Sequence, residues 1–389
     1  MNTQLVIFGI TGDLSRRKLL PALDAIITSG TSLSIIGVSR REVDTATLLA
    51  SHRSLVPHTT SFTMDLATLG DYKKLKTHLE STNADQTLFY LSVPPGAAAG
   101  IVDFLGEAGM TTPHYKILFE KPFGYDLASA KEFIERTARY FDESQLYRID
   151  HYMAKEVSMD ILRLRKNAEN RHHHWDNRSV KEVRVVATES IGIEGRAQFY
   201  EQTGALRDFI QGHLLQVLSL VLIESPGSQS LPIERLRALS QLEPARPDLA
   251  VRGQYKGYQE EVENPGSRVE TFAALEFESA DPRWEGVPLR LITGKALHAK
   301  RSYVEVLYAD GTQDIFEETH GEPGAGKPLD AYERVLTEAI AGNDDIFTTS
   351  DEVIRSWELV APVQRVWEMD QDELELYAKG VNPLSAQTA

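Results

Sequence analysis

The chain has 389 residues, 41 of them basic and 57 acidic, for a net charge of −16, and it contains no cysteine. That length fits two domains better than one small core, and 42% hydrophobic with 25% charged residues is ordinary for a globular protein. The acidic balance argues against nucleic acid, whose phosphates need a basic face, and the lack of cysteine excludes disulfides and thiolate chemistry. No run approaches eighteen apolar residues, so no membrane span is expected. Met1 to Val6 leads straight into a strand without the basic region of a secretory signal, and cytoplasm is the expected compartment.

In chain order, Leu5-Val6-Ile7-Phe8 is a short apolar run closed by Gly9 and reads as a buried parallel strand. A helical pattern follows from Asp13 to about Ser29, and strand composition returns at Leu33 to Val38, Thr87 to Val93, Tyr115 to Glu120 and Leu146 to Ile149. Strands alternating with helices predict a Rossmann-like doubly wound parallel sheet over residues 1–150. Beyond it, Val180 to Ser190, Phe272 to Phe277, Leu289 to Thr293 and Tyr303 to Tyr308 alternate with period two. Helical patterns cover about Met153 to Asn170, Ala205 to Glu224, Leu329 to Ala341 and Ser350 to Glu368. Residues 151–389 therefore read as a mostly antiparallel sheet backed by helices, so that the fold class is α/β followed by α+β. Glu322 to Pro328 reads as a surface loop and Asn382 to Ala389 as a mobile tail.

Four segments carry chemistry. Gly9-Ile10-Thr11-Gly12-Asp13-Leu14-Ser15 lies between the first strand and first helix, where glycines let backbone approach a pyrophosphate. Its spacing is GxxGxxS, weak as a bare pattern because any tight strand-to-helix turn wants glycine. Arg40 and Arg41 end the second strand, where an NAD site usually carries an acid for the ribose, so NADP is expected over a weaker NAD. Glu120-Lys121-Pro122-Phe123-Gly124 closes a core strand and aims Lys121 into the ligand crevice, with a candidate cis proline. In Arg148-Ile149-Asp150-His151-Tyr152-Met153-Ala154-Lys155-Glu156, a helix start would place His151 and Lys155 at i and i+4, two stacked cationic donors suited to a phosphate dianion. Taken singly, each segment also fits a plain structural explanation: a tight turn, two solvated arginines, a strand terminator, an amphipathic helix start. His172-His173-His174 reads as a solvated loop, because adjacent side chains diverge and rarely converge on one ion; no metal is assigned.

Together these segments resemble the glucose-6-phosphate dehydrogenase family. Gly9 to Leu23, Tyr90-Leu91-Ser92-Val93-Pro94-Pro95, Glu120 to Gly124 and Arg148 to Tyr152 with Lys155-Glu156 match in order. So do Glu189 with Gly195-Arg196, Arg207 to His213, Gly294-Lys295 with Lys300, and Phe347 to Glu352, a series specific as a whole. The resemblance implies that His213 is the general base for the C1 hydroxyl and that Asp150 is its partner. It implies that His151, Tyr152 and Lys155 hold the 6-phosphate and that Glu189 and Asp208 accept sugar hydroxyls. Lys121, Lys295 and Lys300 would line the sugar, with Lys121 also near the nicotinamide. Gly9, Thr11, Gly12, Asp13, Leu14, Lys18, Arg40 and Pro94 would serve the cofactor. The implied activity is NADP-dependent oxidation of glucose 6-phosphate to its δ-lactone, in the pentose phosphate pathway.

This chain is shorter than typical members: after Asp310-Gly311 it passes quickly through Glu317 to the helix from Leu329. A homodimer with a reduced interface is the expectation. The rivals are the same chemistry on an amino- or deoxy-hexose phosphate, a Gfo/Idh/MocA-type sugar oxidoreductase, and an inactive NADP-binding regulator. The second would have no need of His151, Tyr152 and Lys155, and the third no need of His213 and Asp150.

Overall fold

The computed structural model describes residues 2–166, 174–224, 229–318, 329–370 and 374–381. His172 and His173 of the histidine run, the Glu322 to Pro328 loop and the Asn382 to Ala389 tail lie outside the described residues, as do positions 167–170 at the end of the first helix expected beyond Asp150. Contacts divide the chain into two compact units. One takes Met1–Gly124, Ala128–Ala154 and Lys327–Ser350; the other takes Tyr125–Leu127, Lys155–Gly326 and Asp351–Ala389. The chain thus returns to the first unit after the second has begun, which a single cut at Asp150 does not describe.

The first unit is built on β1 (Thr3–Phe8), β2 (Leu33–Ser39), β3 (Thr59–Thr63), β4 (Gln86–Leu91), β5 (Tyr115–Phe119) and β6 (Leu146–Ile149). They lie in the order β6-β5-β4-β1-β2-β3, all parallel, with Phe347–Thr348 added antiparallel to β6. This is the doubly wound order, whose direction of winding reverses between β1 and β4. Every residue of β1 and β4 is buried, as the continuous apolar runs require of strands covered on both faces. β3 escaped the sequence reading because Thr-Thr-Ser-Phe-Thr is an edge strand with little apolar content and mostly exposed side chains. The return of the chain is anchored by Phe347, whose ring stacks on Tyr147 with centroids 4.4 Å apart, and by the helix Ala331–Ala341, which packs on Leu20–Thr28.

The second unit holds β7 (Val180–Thr188), β8 (Val251–Tyr255), β9 (Phe272–Phe277), β10 (Leu289–Gly294), β11 (Arg301–Tyr308) and β12 (Gln313–Glu317). Their order is β12-β11-β7-β10-β9-β8, followed by Glu375–Tyr377. The sheet is mostly antiparallel, but β7 pairs with β10 in parallel, and Glu375–Tyr377 pairs in parallel with β8. Period-two alternation identified β7 and β10 as strands but carries no information on the direction of a partner about a hundred residues away. The helical pattern from Ala205 to Glu224 divides into a π-helical stretch Leu206–Leu214 and Leu215–Leu222, which is buried throughout, and a further helix, Ala197–Ala205, precedes it. The π-helical stretch packs on β7, β9 and β10. Among the described residues no helix is long and apolar enough to cross a membrane.

Candidate active site

In the first unit, every expected site residue except Lys18 stands at or just beyond the carboxyl end of a parallel strand, where α/β sheets take their ligands. The turn after β1 is pressed against the exit of β4. Gly9 has φ +84°, and a Cβ there would lie 2.3 Å from the Ser92 carbonyl oxygen, so glycine is required. The Gly12 amide donates to the Gly9 carbonyl at 2.9 Å, and the Ser15 hydroxyl donates to Gly9 O at 3.0 Å and to Ser92 Oγ at 3.1 Å. Thr11 and Asp13 are exposed at this turn, Leu14 is half-buried, and Pro94 is exposed across the switch point. Asp13 pairs with Arg17 at 3.4 Å on the surface, a contact of little energetic weight. Arg40 and Arg41 are exposed at the end of β2, beside β1 in the sheet. A tight glycine turn free of side-chain bulk, opening a helix and flanked by exposed cations, fits a dinucleotide pyrophosphate.

Beyond β5 and β6 the geometry tightens. Lys121 Nζ donates to Asp150 Oδ2 at 3.0 Å, and the Tyr152 amide donates to Asp150 Oδ1 at 3.0 Å. The Lys121–Pro122 bond is cis. The carboxylate of Asp150 thereby closes a turn over His151 to Ala154, and the helix begins only at Glu156. The expected i, i+4 face with His151 and Lys155 on one helix is not formed: residues 151–154 make a turn and the helix starts only after Lys155. Glu120 accepts the Tyr90 hydroxyl; burial pushes its carboxyl up to about 7, with the Tyr90 bond and Lys121 opposing and Asp150 reinforcing the rise.

One residue here was not legible from the motifs. Tyr332 stacks on the His151 ring, centroids 6.3 Å apart and 14° between planes, and lies 5.9 Å beneath the Lys18 ammonium. It comes from a helix 181 positions after His151, capped by Asp330, and only the returning chain brings it in.

In the second unit the parallel pairing of β7 and β10 assembles the site. Thr188 and Gly294 are register partners at the ends of the two strands, so Glu189 and Lys295, the next residues, emerge side by side and form an ion pair. Arg301 is also opposite Thr188, which brings Lys300 to the same end, where it is exposed. The buried Lys295 ammonium lies 5.2 Å from the Tyr200 ring centroid and 5.7 Å from that of Phe209. Asp208 and His213 project from the π-helical stretch that covers this sheet, a distortion common where a helix supports a functional site. Burial raises the Asp208 carboxyl above the usual carboxylate range and Glu189 adds to the rise, while Lys295, His213 and Arg196 pull it down. His213 is buried, its ring edge-on to Phe209 at 5.8 Å. Lys155 is half-buried, and its ammonium donates to Glu318 at 2.9 Å, so this expected phosphate ligand carries a carboxylate of the same unit.

Two family models match the chain: glucose-6-phosphate dehydrogenase, NAD binding domain, over residues 6–159, and glucose-6-phosphate dehydrogenase, C-terminal domain, in two pieces over 162–327 and 318–388. The glucose-6-phosphate 1-dehydrogenase of Dickeya dadantii is 31% identical over 459 aligned positions, covering 97% of this chain and 93% of its own. That span exceeds the 389 residues here, so the relative carries additional segments within it. A solved structure of glucose-6-phosphate dehydrogenase in complex with its substrate glucose-6-phosphate superposes with TM-score 0.89 at 27% identity, covering 98% of this chain and 95% of that one. The glucose-6-phosphate 1-dehydrogenase structure from Mycobacterium avium gives 0.86 at 29% identity, covering 98% and 94%. With both family models matched in order along nearly its whole length, the chain belongs to the glucose-6-phosphate dehydrogenase family of oxidoreductases.

Proposed function

We propose that the chain oxidises the C1 hydroxyl of glucose 6-phosphate to the δ-lactone with NADP as hydride acceptor. The observation that carries this reading is the cluster at the ends of β7 and β10: a buried ammonium, two carboxylates and a histidine on one covered sheet end. Such a set offers acceptors for sugar hydroxyls and one group able to take a proton near neutral pH. The complex of a 27% identical relative with glucose 6-phosphate supports that substrate. With the dinucleotide held at the Gly9 turn, its nicotinamide would supply the acceptor for the hydride leaving C1.

The residues then divide by task. His213 takes the hydroxyl proton as the hydride departs, and Asp150 is its assigned partner carboxylate. Glu189, Asp208, Lys295 and Lys300 orient the hydroxyls; His151, Tyr152 and Lys155 take the phosphate, with Lys155 leaving Glu318 to do so. Lys121 serves sugar and nicotinamide. Gly9, Gly12, Thr11, Asp13, Leu14, Lys18 and Pro94 hold the dinucleotide, and Arg40 takes the 2′-phosphate. The assembly is read as a homodimer of reduced interface, because the chain is short between Asp310-Gly311 and the helix from Ala331.

Absorbance at the reduced-nicotinamide band tests this with NADP or NAD and a panel of phosphorylated and free hexoses. Glucose 6-phosphate with NADP should give the highest kcat/KM, and Arg40→Ala should raise KM for NADP more than for NAD. Free glucose turning over as well as its phosphate would overturn the reading, and an NADP/NAD ratio unchanged by Arg40→Ala would remove that assignment.

A further inference from the structure

Between the helix Ala197–Ala205 and the π-helical stretch Leu206–Leu214 the backbone kinks at Gly204, with φ 61° and ψ −175°. A break there leaves the first amides of the second helix without intrahelical partners. Glu270 fills the kink. A Cβ on Gly204 would lie 2.5 Å from Glu270 Oε1, so the carboxylate occupies the space that glycine opens. That Oε1 accepts the buried Leu206 amide at 2.8 Å, and the Glu270 carbonyl accepts the Ala205 amide at 2.9 Å. The side chain is 6% exposed, and burial raises its carboxyl above the ordinary range.

The next residue reaches the other side of the site. The Thr271 carbonyl accepts the Lys295 amide at 2.9 Å, and the Thr271 amide donates to Gly253 at 2.8 Å. Its hydroxyl accepts the Tyr255 amide at 2.9 Å, so Thr271 is itself held firmly. Two consecutive residues therefore fix the start of the helix bearing Asp208 and His213 and the backbone of Lys295, which pairs with Glu189. A negative charge at a helix N-terminus is also favourable to the peptide dipoles.

We propose that Glu270 is a positioning residue for the reaction: its carboxylate sets the register of the helix that presents Asp208 and His213 to the sheet end carrying Glu189 and Lys295. This rests on the assignment of those four residues to the substrate. Glu270 touches neither reacting atom and acts through the helix start.

The geometry also supplies a way to separate positioning from mere support. A cavity of about 300 Å³ borders Glu270, Leu206 and Arg207, so a small carboxylate has space to reach the Leu206 amide when the side chain is cut back. Glu270→Ala should lower kcat at least tenfold with little change in KM for NADP. Glu270→Gln, which keeps the acceptor oxygen, should recover most of that loss, and tens of millimolar formate should restore part of the Glu270→Ala rate while leaving the parent enzyme unchanged. Amide exchange of residues 205–214 should quicken at least tenfold in Glu270→Ala, with β7 unaltered. Full kcat in Glu270→Ala overturns the proposal, as does a loss of rate with no faster exchange in 205–214. If Glu270→Ala does not fold, Glu270→Asp, with the acceptor withdrawn by one methylene, takes its place and must show the same paired loss and exchange. The exchange measurement decides the role of Glu270 even if the parent protein proves inactive on glucose 6-phosphate, in which case the substrate reading alone fails.

Discussion

Lys121–Asp150 in the first unit and Lys295–Glu189 in the second both stand at strand ends, and the two pairs are built in opposite senses. In Lys121–Asp150 the carboxylate is 0% exposed and the lysine 20%; in Lys295–Glu189 the lysine is 2% exposed and the glutamate 21%. The first pair hides its acceptor and leaves a donor toward solvent, and the second hides its donor and leaves an acceptor. The donor stands in the unit with the Gly9 turn, while the acceptor stands beside His213 and Asp208, the group proposed to receive sugar hydroxyls. One pairing chemistry is thus turned to two uses by which member is buried.

The largest effect should come from His213, beside the acceptor pair. His213→Ala or His213→Asn should lower kcat by roughly 10²–10⁴ while leaving substrate affinity near the parent value, since a general base acts in the transition state. Near-normal turnover in either variant would sink the base assignment.

Removing the exposed member of each pair tests the comparison itself, because it takes a charged partner from the buried one. Lys121→Met leaves Asp150 in the interior with the Tyr152 amide still donating, and should cost about 3 kcal/mol in denaturant unfolding. Glu189→Gln should cost less, because the Asp208 carboxyl still faces Lys295. Equal costs, or the reverse order, would show that burial does not distinguish the two pairs.

Smaller again is the effect of Lys155, the lysine proposed for the phosphate. A charge-assisted bond to a dianion contributes about 1.5–3 kcal/mol, so Lys155→Ala should raise KM for glucose 6-phosphate roughly tenfold and scarcely alter free glucose. The same loss on both sugars would make Lys155 structural.

Glu120 gives the smallest effect, a pH dependence. Its folded carboxyl titrates near 7, above the usual glutamate value, so its contribution to stability is present at acid pH and lost as pH rises through about 7. The thermal midpoint of the parent should fall relative to Glu120→Gln between pH 5 and 8. Parallel curves would mean that Glu120 is not held protonated by the fold.

How much of this was legible in the sequence follows from distance along the chain. The Gly9 turn, Lys121 and Asp150 each stand at the end of a short, largely apolar strand, so composition and position alone placed them at strand ends. Glu189 and Lys295 were identified only through resemblance; their adjacency depends on β7 pairing in parallel with β10, which alternation cannot reveal. Tyr332, Glu270 and Glu318 carry no local signal at all: each acquires its place from contacts made across the fold, with His151, Leu206 and Lys155 respectively. The helix expected to stack His151 over Lys155 begins only after both, at Glu156, because residues 151–154 are taken up by a turn.

The central claim is hydride removal from C1 of a phosphorylated hexose, and isotope transfer tests it most directly. Glucose 6-phosphate deuterated at C1, turned over with NADP, should deliver one deuterium to each reduced nicotinamide and yield the δ-lactone. Reduced cofactor without deuterium, or label retained on the sugar product, would contradict the account.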